Sequence, residues 1–465
     1  KTKRYIGVSE CANCHRDPDK YKDAPPILCT CNEVAIWEKM DKHKDAYVNL
    51  SKERGQQITT LLKYKKSDIE NNCLPCHGVR VEDQKFLSPT FKADEGVSCV
   101  VCHGPYVEWV EQHGGPRRFE WREKSRAEKE NDFGMTDLWN PARRARKCAS
   151  CHIGDPEDGK LVTHDMYAAG HPPLPGLEVS TFSKEMPKHW KYLYEKSEKA
   201  KQILHYNPAV LERTQLVIVG GLVELQESMN VLAGYADRSL HAKEADARAL
   251  DLAAFDCYAC HHDLKTPSWR QARGYFGKPG RPQFRSWPTA LVKVWLHQSG
   301  QEDELAKERK LEEILQAAFD ARPFGEPARI AAAAHDIQKW CTANLEKLER
   351  APESFHQPSV RRLLPQICKL ATSETLDFDS ARQLAWAFRI VYKDLNPKPA
   401  SDATIQEKLK ALEQELSLKL PSGQQRQILR ELPSILATIA NYNPESFKKL
   451  FGELATLLEG KQVVH

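Results

Sequence analysis

Three things are scarce in this chain of 465 residues: long apolar runs, clustered basic charge, and cysteines outside one repeated motif. The longest apolar run near the middle, LVIVGGLVEL at 216–225, is short and carries Glu224, which reads as too short and too charged to cross a bilayer. The opening residues, KTKRYIGVSE, contain no apolar leader core. That is expected of an exported chain whose leader has been removed, and equally of a cytoplasmic one. Lys and Arg (68) nearly balance Asp and Glu (64), a net charge of +4. Pairs such as Arg117-Arg118 and Arg143-Arg144 are short and mixed with Glu, so they read as solvated faces and no nucleic acid is expected as a partner. A hydrophobic share of 41% and a charged share of 28% suit a globular chain, and the length suits two or three domains.

The chemistry lies in how the cysteines are spent. Ten of the fourteen fall into five C-x-x-C-H units: CANCH at 11–15, CLPCH at 73–77, CVVCH at 99–103, CASCH at 148–152 and CYACH at 257–261. Two thiols three positions apart can each add to one haem vinyl group, and the next residue then places an imidazole under the iron. The thiols are Cys11, Cys14, Cys73, Cys76, Cys99, Cys102, Cys148, Cys151, Cys257 and Cys260; the proximal ligands are His15, His77, His103, His152 and His261. Zinc also uses paired cysteines but does not require a histidine directly after each pair, and a disulfide framework does not either. The sequence therefore predicts five haem c groups. Haem c is normally attached outside the cytoplasm, which favours the exported reading and a periplasmic or other extracytoplasmic location. Each ferric haem with two ionised propionates adds about −1, so the loaded chain is expected near −1 and the formal basicity is no partner signal.

A second axial imidazole closes an iron for electron transfer, whereas an open position admits a substrate. Twelve histidines lie outside the motifs. His43 follows the first motif in IWEKMDKHKDAY, and His113 follows the third in CHGPYVEWVEQH. His164 and His171 flank THDMYAAGHPPLP, whose Gly-His-Pro-Pro turn would hold an imidazole with little entropy loss. These four are the expected distal ligands. His189 and His241 are weaker candidates. His262 adjoins a proximal ligand and reads as a polar contact, while His335, His356 and His465 read as surface residues.

Several stretches resemble a known group. GVSCVVCHGP, the early ECANCH followed by IWEKMDKH, and the number of motifs are similar to the cytochrome c-554/hydroxylamine oxidoreductase superfamily, over about residues 7–270. AAGHPPLP followed by MPKHW resembles related multihaem cytochromes. The resemblance implies closely packed haems, mostly bis-histidine ligation and a mainly helical, loop-rich fold, and the group holds both carriers and enzymes. Its nitrite-reducing members often carry C-x-x-C-K, which this sequence lacks. Its hydroxylamine-oxidising members carry more haems and a tyrosine cross-link, which this sequence does not support. Both departures favour a carrier.

The expected fold is mainly α: a loop-rich pentahaem core with long helices over 1–297, then a helical bundle over 298–465. Apolar residues recur at helical spacing from about Pro208, as at Leu216, Val219, Leu222 and Val223. EADARALDLAAFDCYACHH reads as a helix running into the fifth motif, and 273–288 as a Pro/Gly-rich loop. Beyond residue 298 the segments EDELAKERKLEEILQAAFDA, RIAAAAHDIQKWCTANLEKLE, DSARQLAWAFRIVYKDL and IQEKLKALEQELSLKL are amphipathic, separated at Pro323, Pro352, Pro397-Lys398-Pro399 and Pro421. This bundle reads equally as a docking module or as a lid on the haem region. Cys341 and Cys368 within it are expected either to pair as a disulfide or to remain buried thiols.

Cys29 and Cys31 break the motif. Their spacing is C-x-C and Asn32 follows, so haem does not attach here in the usual way. A bridge between them would be small, strained and easily reduced. Pairing with a distant cysteine, inert burial, and coordination of iron remain, with Cys31 the favoured thiolate ligand. The function expected is a pentahaem electron carrier with redox proteins as partners and no transmembrane segment. The alternative is an oxidoreductase acting on a small nitrogen or sulfur compound at one open or thiolate-ligated haem.

Overall fold

The computed structural model describes residues 1–21, 28–115, 118–242, 249–262, 266–267, 277–397, 402–417, 439 and 441–462. The fold is mainly α. Among the described residues the only β pairing is in isolated bridges such as Lys3 with Tyr106 and Tyr5 with Leu87. Contacts divide the chain into two units. The first comprises residues 1–147, 158–160 and 182–208, and the second residues 148–157, 161–181 and 209–465. The division does not follow the boundary expected at 297/298: the fourth and fifth motifs fall in the same unit as the C-terminal helices.

The first unit is built from short helices and turns around a small core of Tyr5, Ile6 and Val100, against which Cys11, Phe86, Leu87 and Val110 pack. Some of its elements start at side-chain caps. Ser125 accepts from the Glu128 backbone while Glu128 returns a bond to Ser125, a capping box that starts Arg126–Asn131. Asp41 caps the 3-10 turn Lys42–Asp45 by accepting from the His43 backbone.

The second unit is organised on one helix, Glu212–His241. Leu216, Val219, Leu222 and Val223 are buried as their spacing predicts, but so are Val217 and Ile218 on the other faces. A helix apolar all round belongs in a core. By length and composition it could cross a bilayer, although the ten-residue run at its centre reads as too short; 83% of its apolar window is buried inside the protein. It packs most extensively on Pro327–Glu349, and also on Ala290–Ser299 and Phe378–Leu395. Gly221 permits the approach of Ala290–Ser299, since a Cβ there would lie 2.7 Å from the Leu291 Cβ. Glu224, fully buried in the same helix, accepts from the Val179 backbone at 3.0 Å and from Gln383 at 2.8 Å.

The helices expected beyond residue 298 form as Glu302–Asp320, Pro327–Glu349, Phe378–Leu395 and Ala403–Glu415, joined by Leu363–Ser373 and Pro444–Gln462. The helix expected to run into the fifth motif does not. Residues 243–248 lie outside the described residues, and beyond them Asp251 draws the chain into a 3-10 turn, accepting from Ala253 and from the backbone of His164. Asp256 then caps a separate short helix, Cys257–Cys260. Cys341 and Cys368 are not bonded to each other but are two buried thiols. Burial pushes the Cys368 thiol up to about 12 and the Cys341 thiol up as well, which keeps both protonated and inert.

Candidate haem sites

Each motif lies on or ends a helical turn: Val8–His15, Leu74–His77, Cys99–His103, Pro141–His152 and Cys257–Cys260. Positions i and i+3 share a face of such a turn, so each thiol pair points the same way. None of the motif cysteines is sealed in a core: Cys14 and Cys260 are exposed and the other eight are partly buried. In the first unit the Cys11 and Cys99 thiols are close enough to shift each other's proton affinity, which sets the first and third motifs side by side.

Two pairs of imidazoles are brought together with their ring planes nearly parallel. In the first unit His15 and His113 are stacked, with centroids 5.6 Å apart, an interplanar angle of 11° and Nε2 atoms 3.4 Å apart. In the second unit His261 and His164 are stacked at 6.4 Å and 20°. Two imidazoles on opposite sides of one metal, each about 2 Å from it, would set their nitrogens about 4 Å apart, so the His15–His113 pair at 3.4 Å would open slightly to admit one. Both pairs join a motif histidine to a histidine expected as a distal ligand, so the residues fit haem c. His113 is steadied by Trp109 and Trp121, whose rings meet it at 58° and 79°. His164 is placed by Thr163, which caps its helix, and by Asp251 on its backbone.

A second regularity concerns Nδ1. It meets an oxygen acceptor in His15 (Glu33, 2.9 Å), His43 (Asp41, 2.8 Å), His77 (Ala46 carbonyl, 2.9 Å), His171 (Pro172 carbonyl, 2.8 Å) and His189 (Pro187 carbonyl, 3.4 Å). With Nδ1–H donating, Nε2 keeps its lone pair for a metal. His171 is further fixed by the edge of Tyr167 at 6.0 Å. Desolvation lowers the pKa of His77 and His189 and pushes His103 and His113 down to about 4, with neighbouring imidazoles adding to the effect on the last two. That favours the neutral form a metal requires. His15 differs: desolvation opposes its charged form, but Glu33 outweighs it and raises the pKa. Glu33 itself, despite desolvation, is held down at about 2 by His15 and the Thr30 backbone.

His189, a weak candidate in the sequence, gains standing here. A charge on His189 would disfavour one on His103, and His103 has its Nδ1 buried without a hydrogen-bond partner. The signal available in the sequence was Pro187, which fixes the backbone two residues before the imidazole. Glu33 and Asp41, which orient His15 and His43, were not anticipated. His241 is exposed at the end of its helix with Nδ1 on the Asp237 carbonyl, and His465 lies outside the described residues. His152 and His171 belong to the second unit, and His43, His77, His103 and His189 to the first.

The thiols of Cys29 and Cys31 lie 3.4 Å apart, and with a ring nitrogen of His15 they form a group within 4.8 Å. The position facing the His15 Nε2 is held by His113, however, and not by Cys31.

Residues 10–104 match the family model of cytochrome c554 and c-prime. No curated protein and no solved structure matches the chain. The matched segment contains the first three motifs and is cytochrome c554-like; what it supports is haem c as cofactor and electron transfer as activity.

Proposed function

We propose that the chain is an extracytoplasmic electron-transfer cytochrome with five haem c groups, each iron held between two histidines. The observation that carries this reading is the facing of motif and non-motif imidazoles, His15 with His113 and His261 with His164. Three motif histidines remain, and with exposed His241 set aside three candidates remain. His103 goes with His189, which lies in the same unit and whose charge would bear on it. His77 goes with His43, since the Ala46 carbonyl three residues beyond His43 holds the His77 Nδ1. His152 goes with His171 within the second unit. Haem c supplies reversible one-electron change at iron. The chain's residues supply the rest: carboxylates and carbonyls aim the rings, the motif turns fix the thioethers, and two histidines per iron leave no position for a substrate. That arrangement suits a carrier serving redox partner proteins, and Cys31 is then not needed as a ligand.

The test is to load the protein, confirm a mass increase of five haems, and record low-temperature spin resonance of wild type, His113→Ala and His164→Ala. Five low-spin ferric signals are expected, with one turning high-spin in each variant. A high-spin wild-type signal that shifts with nitrite or hydroxylamine would overturn the carrier in favour of an oxidoreductase. Unchanged spectra in both variants would remove the pairing.

A further inference from the structure

We propose that Cys29 and Cys31 form a dithiol–disulfide couple that exchanges electrons with the iron bound by His15, giving the chain a two-electron centre beside its one-electron ones. The proposal rests on the reading above for the motif at 11–15. The two sulfurs stand 3.4 Å apart, so a bond of about 2.05 Å requires them to close by roughly 1.4 Å. The turn that holds them is preset. Cys31 has φ +58°, a left-handed conformation uncommon for a residue with a side chain. Thr30, between them, is tied down three ways: its N–H donates to Glu33 Oε1 at 2.6 Å, and its hydroxyl donates to Asn32 at 2.6 Å and to Glu33 at 2.9 Å. Lys196 holds the approach to the turn by donating to the Leu28 carbonyl at 2.7 Å.

The same carboxylate connects this turn to the iron ligand. Glu33 accepts from Thr30 through Oε1 and holds the His15 Nδ1 through Oε2 at 2.9 Å. Both sulfurs lie within 4.8 Å of a His15 ring nitrogen. Other uses of the pair are less well served. A structural zinc takes four ligands, and here there are two thiols and an imidazole already engaged by Glu33 and His113. The remaining non-motif thiols, Cys341 and Cys368, are enclosed among the helices of the second unit.

In the oxidising direction both S–H bonds break and one S–S bond forms. Two protons leave to water, which Cys29 reaches and buried Cys31 does not. Two electrons leave, one at a time, to two ferric haem c groups of the chain. Reduction reverses each change.

The test uses the haem-loaded chain, with haem on the peptide containing residues 11–15 confirmed by mass. After ferricyanide oxidation and denaturing alkylation, Cys29 and Cys31 should be unmodified and their peptide 2 Da lighter than expected for two thiols. After a dithiol reductant both should be alkylated. Coulometric reduction of wild type should take two electrons more than Cys29→Ser or Cys31→Ser. Both cysteines alkylated in the oxidised chain would overturn the couple. A disulfide with equal electron counts in wild type and variants would overturn its link to the haem. Loss of a thiolate-type low-spin signal in either variant would place a sulfur on iron and overturn the proposal as well. Absence of haem at 11–15 would instead count against the five-haem reading, while the alkylation result in wild type still decides whether the couple exists, even where the variants fail to fold.

Discussion

Glu33 sits where two residue-scale interactions meet, on the Nδ1 of His15 and on the turn at Thr30. A carboxylate on the far nitrogen of a metal-bound imidazole raises its basicity and favours the more positive state of the metal. Glu33→Gln keeps a hydrogen-bond acceptor and removes the charge. The potential of the haem at 11–15 should therefore rise, by on the order of 60 mV for a tenfold change in the balance of states. Potentiometry followed optically checks this; an unshifted potential would show that the contact only positions the ring. The motif histidines stand out in the sequence as candidate ligands because covalent attachment would need thiols and imidazole in one short spacing. His113 and His164 were legible as candidates, but which imidazole each would face was not, since His15 and His113 are 98 residues apart and only the fold brings them together. Glu33 and Asp41 were invisible for a simpler reason: surface-type carboxylates look alike until a ring nitrogen is placed against them.

Among the elements, the helix Glu212–His241 illustrates both what periodicity reveals and what it conceals. Its spacing marked Leu216, Val219, Leu222 and Val223 as core, but burial of the remaining faces depends on how many helices surround it, which no local pattern records. Its Gly234 meets the segment just after the fourth motif: a Cβ there would lie 2.4 Å from the Pro156 Cγ, and a proline ring has little freedom to move. Gly234→Ala should cost about 1–3 kcal/mol through this overpacking, despite the better helix propensity of alanine. A thermal melt in which the variant is as stable as wild type would refute the close packing. No single helix runs into the fifth motif because the side chains of Asp251 and Asp256 bond nearby backbone N–H groups and start new turns. A second element-scale prediction concerns Glu308, on Glu302–Asp320 and 3% exposed. Burial, reinforced by Glu312 and opposed by Lys293 and Arg309, pushes its pKa up to about 8. Between about pH 4.5 and 8 the unfolded chain has lost this proton while the folded chain keeps it, so its contribution to stability, full below pH 4.5, falls as pH rises through that window. Glu308→Gln removes the dependence. Its melting temperature relative to wild type should climb from pH 5 to pH 8, reflecting up to roughly a few kcal/mol; a pH-independent difference would refute the raised pKa.

At the scale of the whole chain, contacts group the C-terminal helices with the fourth and fifth motifs, whereas the expected boundary at 297/298 separates them. The absence of motifs beyond residue 261 suggested that 298–465 is a separate module, but absence of cofactor chemistry says nothing about packing. Within the second unit the C-terminal helices hold segments that follow the fourth and fifth motifs. Asp379 accepts from the Gly176 backbone at 3.2 Å, Gln383 donates to the Leu177 carbonyl at 3.1 Å, and Asp377 accepts from Ser286 at 3.1 Å. Arg213 and Thr214, at the start of the long helix, both bond Asp394. That helix also loses its main partner, Pro327–Glu349, if the chain stops early. A chain ending at residue 300 would expose the apolar faces of Glu212–His241 and release the loop holding His164 and His171. The first unit, with the motifs at 11–15, 73–77 and 99–103, contains none of the deleted residues. Truncation after residue 300 should therefore yield a protein with three bis-histidine haems in place of five, the low-spin signal of the His164–His261 pair being lost even where haem remains attached to Cys257 and Cys260. Mass spectrometry gives the attached haem count and spin resonance the ligation. Five haems with five low-spin signals in the truncated chain would restore the boundary at 297/298 and make the C-terminal helices a docking module after all.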